Sequence, residues 1–142
     1  MKKKTNKFIY LSRTAQRIGN GMKNIPNQEQ AKEFDEHITH WQTVLNVQDW
    51  RMERVIRPAK NAMASVEFDN GARLATLRLG DFVSTPITTH SLSMTALHET
   101  LHVFLHDLLS AAQEKGCERL EAEEHRVINV LEKLLGKNYA NK

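Results

Sequence analysis

An α+β domain is the fold class this sequence predicts, and three observations predict it. Ala31, Phe34, Ile38, Trp41 and Leu45 recur at three- and four-residue spacing, which is one apolar stripe along a helix. Residues 62–68 and 73–79 alternate apolar and polar side chains on either side of Asp69-Asn70-Gly71, a hairpin signature. Two more helical patterns follow, from Met94 to Leu109 and from Cys117 to Leu135. That order places an N-terminal helix, a small antiparallel sheet, a buried central helix and a C-terminal helix in one domain.

The size and composition agree. The chain has 142 residues, enough for one core, with 40% apolar and 26% charged side chains. No apolar run reaches membrane-spanning length, and the segment after Met1-Lys2-Lys3-Lys4 is too short and polar for a secretory signal. The expectation is therefore a cytoplasmic protein without a membrane partner. Cys117 is the only cysteine, which excludes an intrachain disulfide and a cysteine metal cluster.

Charge divides the chain. Residues 1–25 hold Lys2, Lys3, Lys4, Lys7, Arg13, Arg17 and Lys23 and no acidic residue. The remainder holds thirteen basic and seventeen acidic side chains, a net of −4. Residues 1–26 thus read as a basic extension and residues 27–142 as the folded domain. Such an extension reads either as a flexible or loosely docked segment or, through residues 1–25, as a nucleic-acid-binding arm.

Within the domain, Asn27 and Gln30 have the form of a capping box that opens the first helix. His37 and His40 flank its stripe as surface or boundary residues, and Asn46 ends it. Residues 50–56 make a first strand limited by Pro58. Ala62, Ala64, Val66 and Phe68 mark the inner face of a second strand, and Ala75, Leu77 and Leu79 that of a third. The edge of the Ala72–Leu79 strand is the expected place for an extended substrate. A Ser/Thr-rich loop leads to Ser91 or Ser93 as cap of the central helix, which runs to about Ser110. Gly116 marks a break. The last helix carries the stripe Leu120, Val127, Ile128, Leu131, Leu134 and Leu135, with Gly136 in the position of a C-cap glycine.

The central helix carries the chemistry. Leu97-His98-Glu99-Thr100-Leu101-His102-Val103 contains His-Glu-x-x-His. Histidines at i and i+4 share one helix face, one turn apart, and can reach one metal ion. Two neutral imidazoles suit zinc, and a catalytic zinc takes three protein ligands. Glu99 stands beside the first histidine, placed to act as general base on a metal-activated water. His106 continues the series, but eight helical residues separate it from His98 by about 12 Å, too far to share an ion. It reads as a supporting or boundary histidine. Glu124 is the expected third ligand. It lies four residues after Leu120 and four before Ile128, on the buried stripe, where an unpaired carboxylate is costly. Glu121 and Glu123 are the alternatives. His106, His125, Arg126 and Tyr139 are the candidates for stabilising a developing oxyanion.

Thr95-Ala96-Leu97-His98-Glu99-Thr100-Leu101-His102-Val103-Phe104 resembles the extended zincin pattern. Together with Glu124-x-x-Val127-Ile128-x-x-Leu131 it is similar to small gluzincin-type metallopeptidases. It is also similar to minimal HExxH proteins of bacteriophages and prophages and to SprT-like and ImmA-like domains. The resemblance covers roughly residues 30–135. The metzincin pattern is not met, because no glycine stands three residues after His102. The resemblance implies a minimal zincin-like domain and a zinc metalloendopeptidase acting on a protein or peptide, with His98, His102 and Glu124 on the metal and Glu99 as base. The alternative it leaves open is a binding or regulatory protein that keeps the fold and the metal but cleaves little.

Overall fold

The computed structural model describes residues 9–14, 22–116 and 119–140, and its architecture is α+β. Lys2, Lys3, Lys4, Lys7, Arg17 and Cys117 lie outside the described residues, as does the side chain of Tyr139.

The first helix forms for the reason its sequence suggests. In α1 (Gln28–Val44) the Gln30 backbone N–H donates to Asn27 Oδ1 and the Asn27 N–H donates to Gln30 Oε1, both at 2.9 Å. These bonds satisfy two of the amides a helix start leaves without partners. Ala31, Phe34, Ile38 and Trp41 are buried along one face, and His37 is buried beside them. Trp41 Nε1–H donates to the Ser93 carbonyl at 3.1 Å, which fixes α1 against the central helix.

The sheet departs from expectation in two ways. It contains β1 (Ile9–Thr14), β2 (Arg51–Arg54), β3 (Ala62–Asp69) and β4 (Leu74–Leu79), in the order β1-β3-β4-β2. First, residues 9–14 of the expected extension form an antiparallel strand on β3, with Tyr10 opposite Val66 and Thr14 opposite Ala62. Residues 22–27 are also tied in: the Asn24 N–H donates to Asp81 Oδ1, and Asn24 Nδ2 donates to the Thr85 carbonyl. Second, the sheet is mixed rather than antiparallel, because β2 runs parallel to β4. The chain leaves β2, steps over the end of β4 in seven residues and enters β3 on the far side. At the crossing the Ala59 N–H donates to the Leu79 carbonyl at 3.0 Å, and the Gly80 N–H to the Met63 carbonyl at 2.8 Å. A Cβ on Gly80 would stand 2.1 Å from the Ala62 carbonyl oxygen, so only glycine fits there. Alternation of side chains encodes which face is buried, not which way a strand runs.

The mixed order also corrects the expected substrate edge. β4 pairs with β3 on one side and β2 on the other, and the Val55 N–H donates to the Leu77 carbonyl beyond β2. The edges of this sheet are β1 and β2.

The central helix α2 (Thr89–Glu114) starts earlier than expected and ends later. Its cap is Thr88, and Ser91 is the reciprocal partner three residues on: the Ser91 N–H donates to Thr88 Oγ1 at 3.1 Å and the Thr88 N–H to Ser91 Oγ at 2.8 Å. Gly116, at φ 76°, takes the left-handed conformation that terminates the helix. The last helix, α3 (Leu120–Ala140), runs through Gly136 rather than ending before it. A Cβ at Gly136 would lie 3.0 Å from Met94 Sδ and Cε, so this glycine lets α3 pass close to the start of α2. α2 packs against α1, α3 and β3. No helix among the described residues is long and apolar enough to cross a membrane.

Candidate metal centre

α2 and α3 lie antiparallel and bring five ionisable side chains together. His98 and His102 project from one face of α2, as their spacing requires, and both are buried. Their Nε2 atoms are 3.3 Å apart. On the opposite side of each ring stands a carboxylate from α3. Glu132 Oε1 lies 2.8 Å from His98 Nδ1, and Glu124 Oε1 lies 2.7 Å from His102 Nδ1. An ionised carboxylate on Nδ1 draws the ring proton there and leaves Nε2 with a lone pair.

His125 completes the group. Its ring centroid is 5.3 Å from that of His102 and 6.2 Å from that of His98. His125 Nδ1 faces the Glu121 carbonyl at 2.9 Å. A carbonyl can only accept, so the proton is on Nδ1 and Nε2 is again the free lone pair. His98, His102 and His125 each offer a ligand atom within 4.8 Å of the others. Zn–N bonds of about 2.0 Å in a tetrahedron put neighbouring nitrogens roughly 3.3 Å apart, the separation seen for the first pair. That separation fits either a hydrogen bond between the two rings or a cation held by both.

Glu124 is thus buried, as its place on the stripe demands, while Glu121 and Glu123 are exposed. Its carboxylate nevertheless stands on the Nδ1 side of His102, away from the Nε2 pair. The structure brings Glu124 to the ring and His125 to the cluster. Glu123 pairs with Arg126 at 2.8 Å on the surface. Glu132 had no place in the sequence reading. The signal was available: it lies four residues after Ile128 and eight after Glu124, a second carboxylate on the same apolar face.

The electrostatics follow from burial. Burial pushes the His102 pKa down to about 4, and the Glu99 charge acts on it in the opposite direction. Burial pushes Glu124 up to about 7. Without a cation the pair His102–Glu124 therefore favours its neutral forms, and a cation at Nε2 favours the ionised carboxylate. Glu99 is fully buried, next to His98 in the chain and within electrostatic reach of His102.

His106 belongs elsewhere. Its ring stacks on Phe68 at 3.8 Å and meets Trp50 edge-on at 5.3 Å, and its Nε2 is 2.6 Å from Asn70 Oδ1. Arg73 covers the outer face of Trp50 at 4.1 Å and pairs with Asp49 and Asp107. This cluster ties the β3–β4 turn to α2. Burial lowers the His106 pKa to about 4, with Asp107 opposing and Arg73 reinforcing the shift. A histidine whose folded pKa is depressed gives stability that is full above its unfolded value near 6.5 and lost as pH falls through 4. The window of that loss is thus pH 6.5 to 4. Urea unfolding at steps across that window should show it, and H106Q should remove that part of the slope. A variant that keeps the full slope would assign the acid lability to other groups.

Compared with protein-family models, curated proteins and solved structures, the chain gives no match to any of them.

Proposed function

We propose that this chain is a zinc-dependent endopeptidase whose metal is held by His98, His102 and His125, with Glu99 as general base, on a minimal zincin-like domain. One observation carries the reading: three imidazoles converge with ligand atoms within 4.8 Å of one another, and each Nδ1 faces an oxygen acceptor. A neutral His₃ set matches the ligand chemistry of catalytic zinc. Zinc supplies Lewis acidity there, which acidifies water and polarises a carbonyl.

The chain's own residues do the rest. Glu132 and Glu124 hold the rings of His98 and His102 in their binding tautomer. Glu99 accepts the proton of the attacking water and returns it to the leaving amine. His125 is the partly exposed member of the cluster, so the site meets solvent on its side. Of the two sheet edges, β1 contacts α2 and is the one placed to align an extended peptide.

Glu99→Gln separates the catalytic reading from a metal-binding one. The variant should keep about one zinc per chain by elemental analysis and lose at least about 10²-fold in hydrolysis of an unfolded protein substrate. Equal rates for variant and parent would remove Glu99 from the role of base. Zinc-loaded parent without hydrolysis would leave a regulatory or binding protein. Metal below a tenth of stoichiometry after incubation with zinc would end the proposal.

A further inference from the structure

Away from the histidines, two cavities meet at the end of the sheet where β2 stops and β3 begins. One, of about 440 Å³, is apolar and lies between the start of α1 and the end of β2, against Ile25, Pro26, Ala31, Val55, Ile56 and Leu79. The other, of about 370 Å³, is lined by Lys23, Arg57 and Lys60. Ile25 and Pro58 form walls of both, so the two lie side by side and together line one trough-shaped face. Each half has the volume of an ordinary ligand site, about 300–1,000 Å³.

The charge in the trough is uncompensated. Asp81 is its one acidic lining residue, and Asp81 Oδ1 already accepts from the backbone N–H groups of Asn24 and Val83. No carboxylate among the described residues pairs with Lys23, Arg57 or Lys60. The apolar half is equally open. Ile56, in its wall, is 94% exposed. A large aliphatic side chain that far out of the core, beside an apolar cavity and cations without a carboxylate partner among the described residues, marks an interaction surface rather than a solvated face.

We propose that this trough binds an extended segment of a partner protein that carries apolar side chains followed by acidic ones. The apolar residues fill the cavity beside Ile56, and the acidic residues meet Lys23, Arg57 and Lys60. Nucleic acid would account for the cations alone, since the described trough has no aromatic side chain on which a base could stack. The chemistry of both halves together is that of an acidic, apolar peptide.

The test uses the full chain and a labelled ten-residue peptide with a Leu/Val half and an Asp/Glu half, followed by fluorescence anisotropy. Matched peptides replace the acids by lysine or the aliphatics by serine. A single-stranded oligonucleotide and vesicles of an anionic phospholipid are the competing probes. The expected result is saturable binding of the parent peptide only, weakened about tenfold or more by R57E/K60E and by I56S. Circular dichroism and zinc content should not change, because all three side chains are exposed. Because the readout is binding, its failure is distinct from a failure of hydrolysis. No saturable peptide binding overturns the proposal. So does oligonucleotide or vesicle binding that R57E/K60E removes while the peptide stays unbound, or peptide binding that survives both variants.

Discussion

Replacing His125 by alanine is expected to cost more zinc affinity than replacing either carboxylate of α3. The difference rests on which atoms would face the proposed ion. His125 offers its own lone pair to the cluster. Glu124 and Glu132 touch the far nitrogens of His102 and His98, so their removal frees a ring without deleting a bond. Partners of that kind are worth about 10–100-fold in metal affinity, and a lost ligand should exceed that range. Chelator competition on H125A, E124Q, E132Q and E123Q would rank them. H125A should lose most, E124Q and E132Q should fall about 10–100-fold, and the exposed Glu123 should matter little. If E124Q showed the greatest loss, the carboxylate itself would be the ligand and the cluster of three histidines would not be the site.

The second large effect is structural. Gly80→Ala should destabilise the fold by more than about 3 kcal/mol, the range reserved for mutations with a definite steric cause. The new methyl would meet the Ala62 carbonyl oxygen at 2.1 Å and the Ala59 carbonyl oxygen at 3.0 Å. Both are backbone atoms, and neither can turn aside as a long side chain would. Relief requires opening the crossing, which breaks the bonds from Ala59 to Leu79 and from Gly80 to Met63. Gly71→Ala is the control, because a Cβ there meets only Asp69 Oδ1 at an ordinary 3.5 Å. Thermal or urea unfolding should separate the two variants clearly. A G80A protein within about 1 kcal/mol of the parent, the size of an ordinary substitution effect, would mean that the crossing is looser than described.

The two effects fall on features of unequal legibility. The first helix could be read from Asn27 and Gln30, because a capping box is local in sequence and local in space. The same holds for His98 and His102, whose shared face depends only on helix geometry. Burial of Glu124 was legible from its neighbours on the stripe. Its position on Nδ1 of His102 was not, because a stripe tells which way a side chain points and not which nitrogen it meets. His125 was legible only as a candidate oxyanion stabiliser, not as a member of the histidine cluster, for a related reason. It sits at the margin of the apolar face, where a long ring can reach the cluster while still meeting solvent, and a search for buried ligands passes over margins. The β1 strand was hidden because its partner β3 is distant in the chain, and strand formation depends on the surface available to pair with. The parallel direction of β2 depends on Gly80 and the seven-residue crossing, a contact that no periodicity records.

The place of β1 in the sheet has a consequence during synthesis. Tyr10 pairs with Val66, so the strand is made well before the strand it needs. At ribosomal rates of about 5–20 residues per second, some fifty residues of waiting last roughly 3–10 s. Through that interval Ile9–Thr14 is an unpaired edge without a template. The segment around it holds seven basic residues and no acidic one. Like charge repels neighbouring nascent chains and opposes strand-to-strand association, the task of gatekeeper residues beside an unavoidable apolar strand. The basic character of residues 1–25 is thus of the kind that keeps such a strand from pairing with its neighbours before β3 is made.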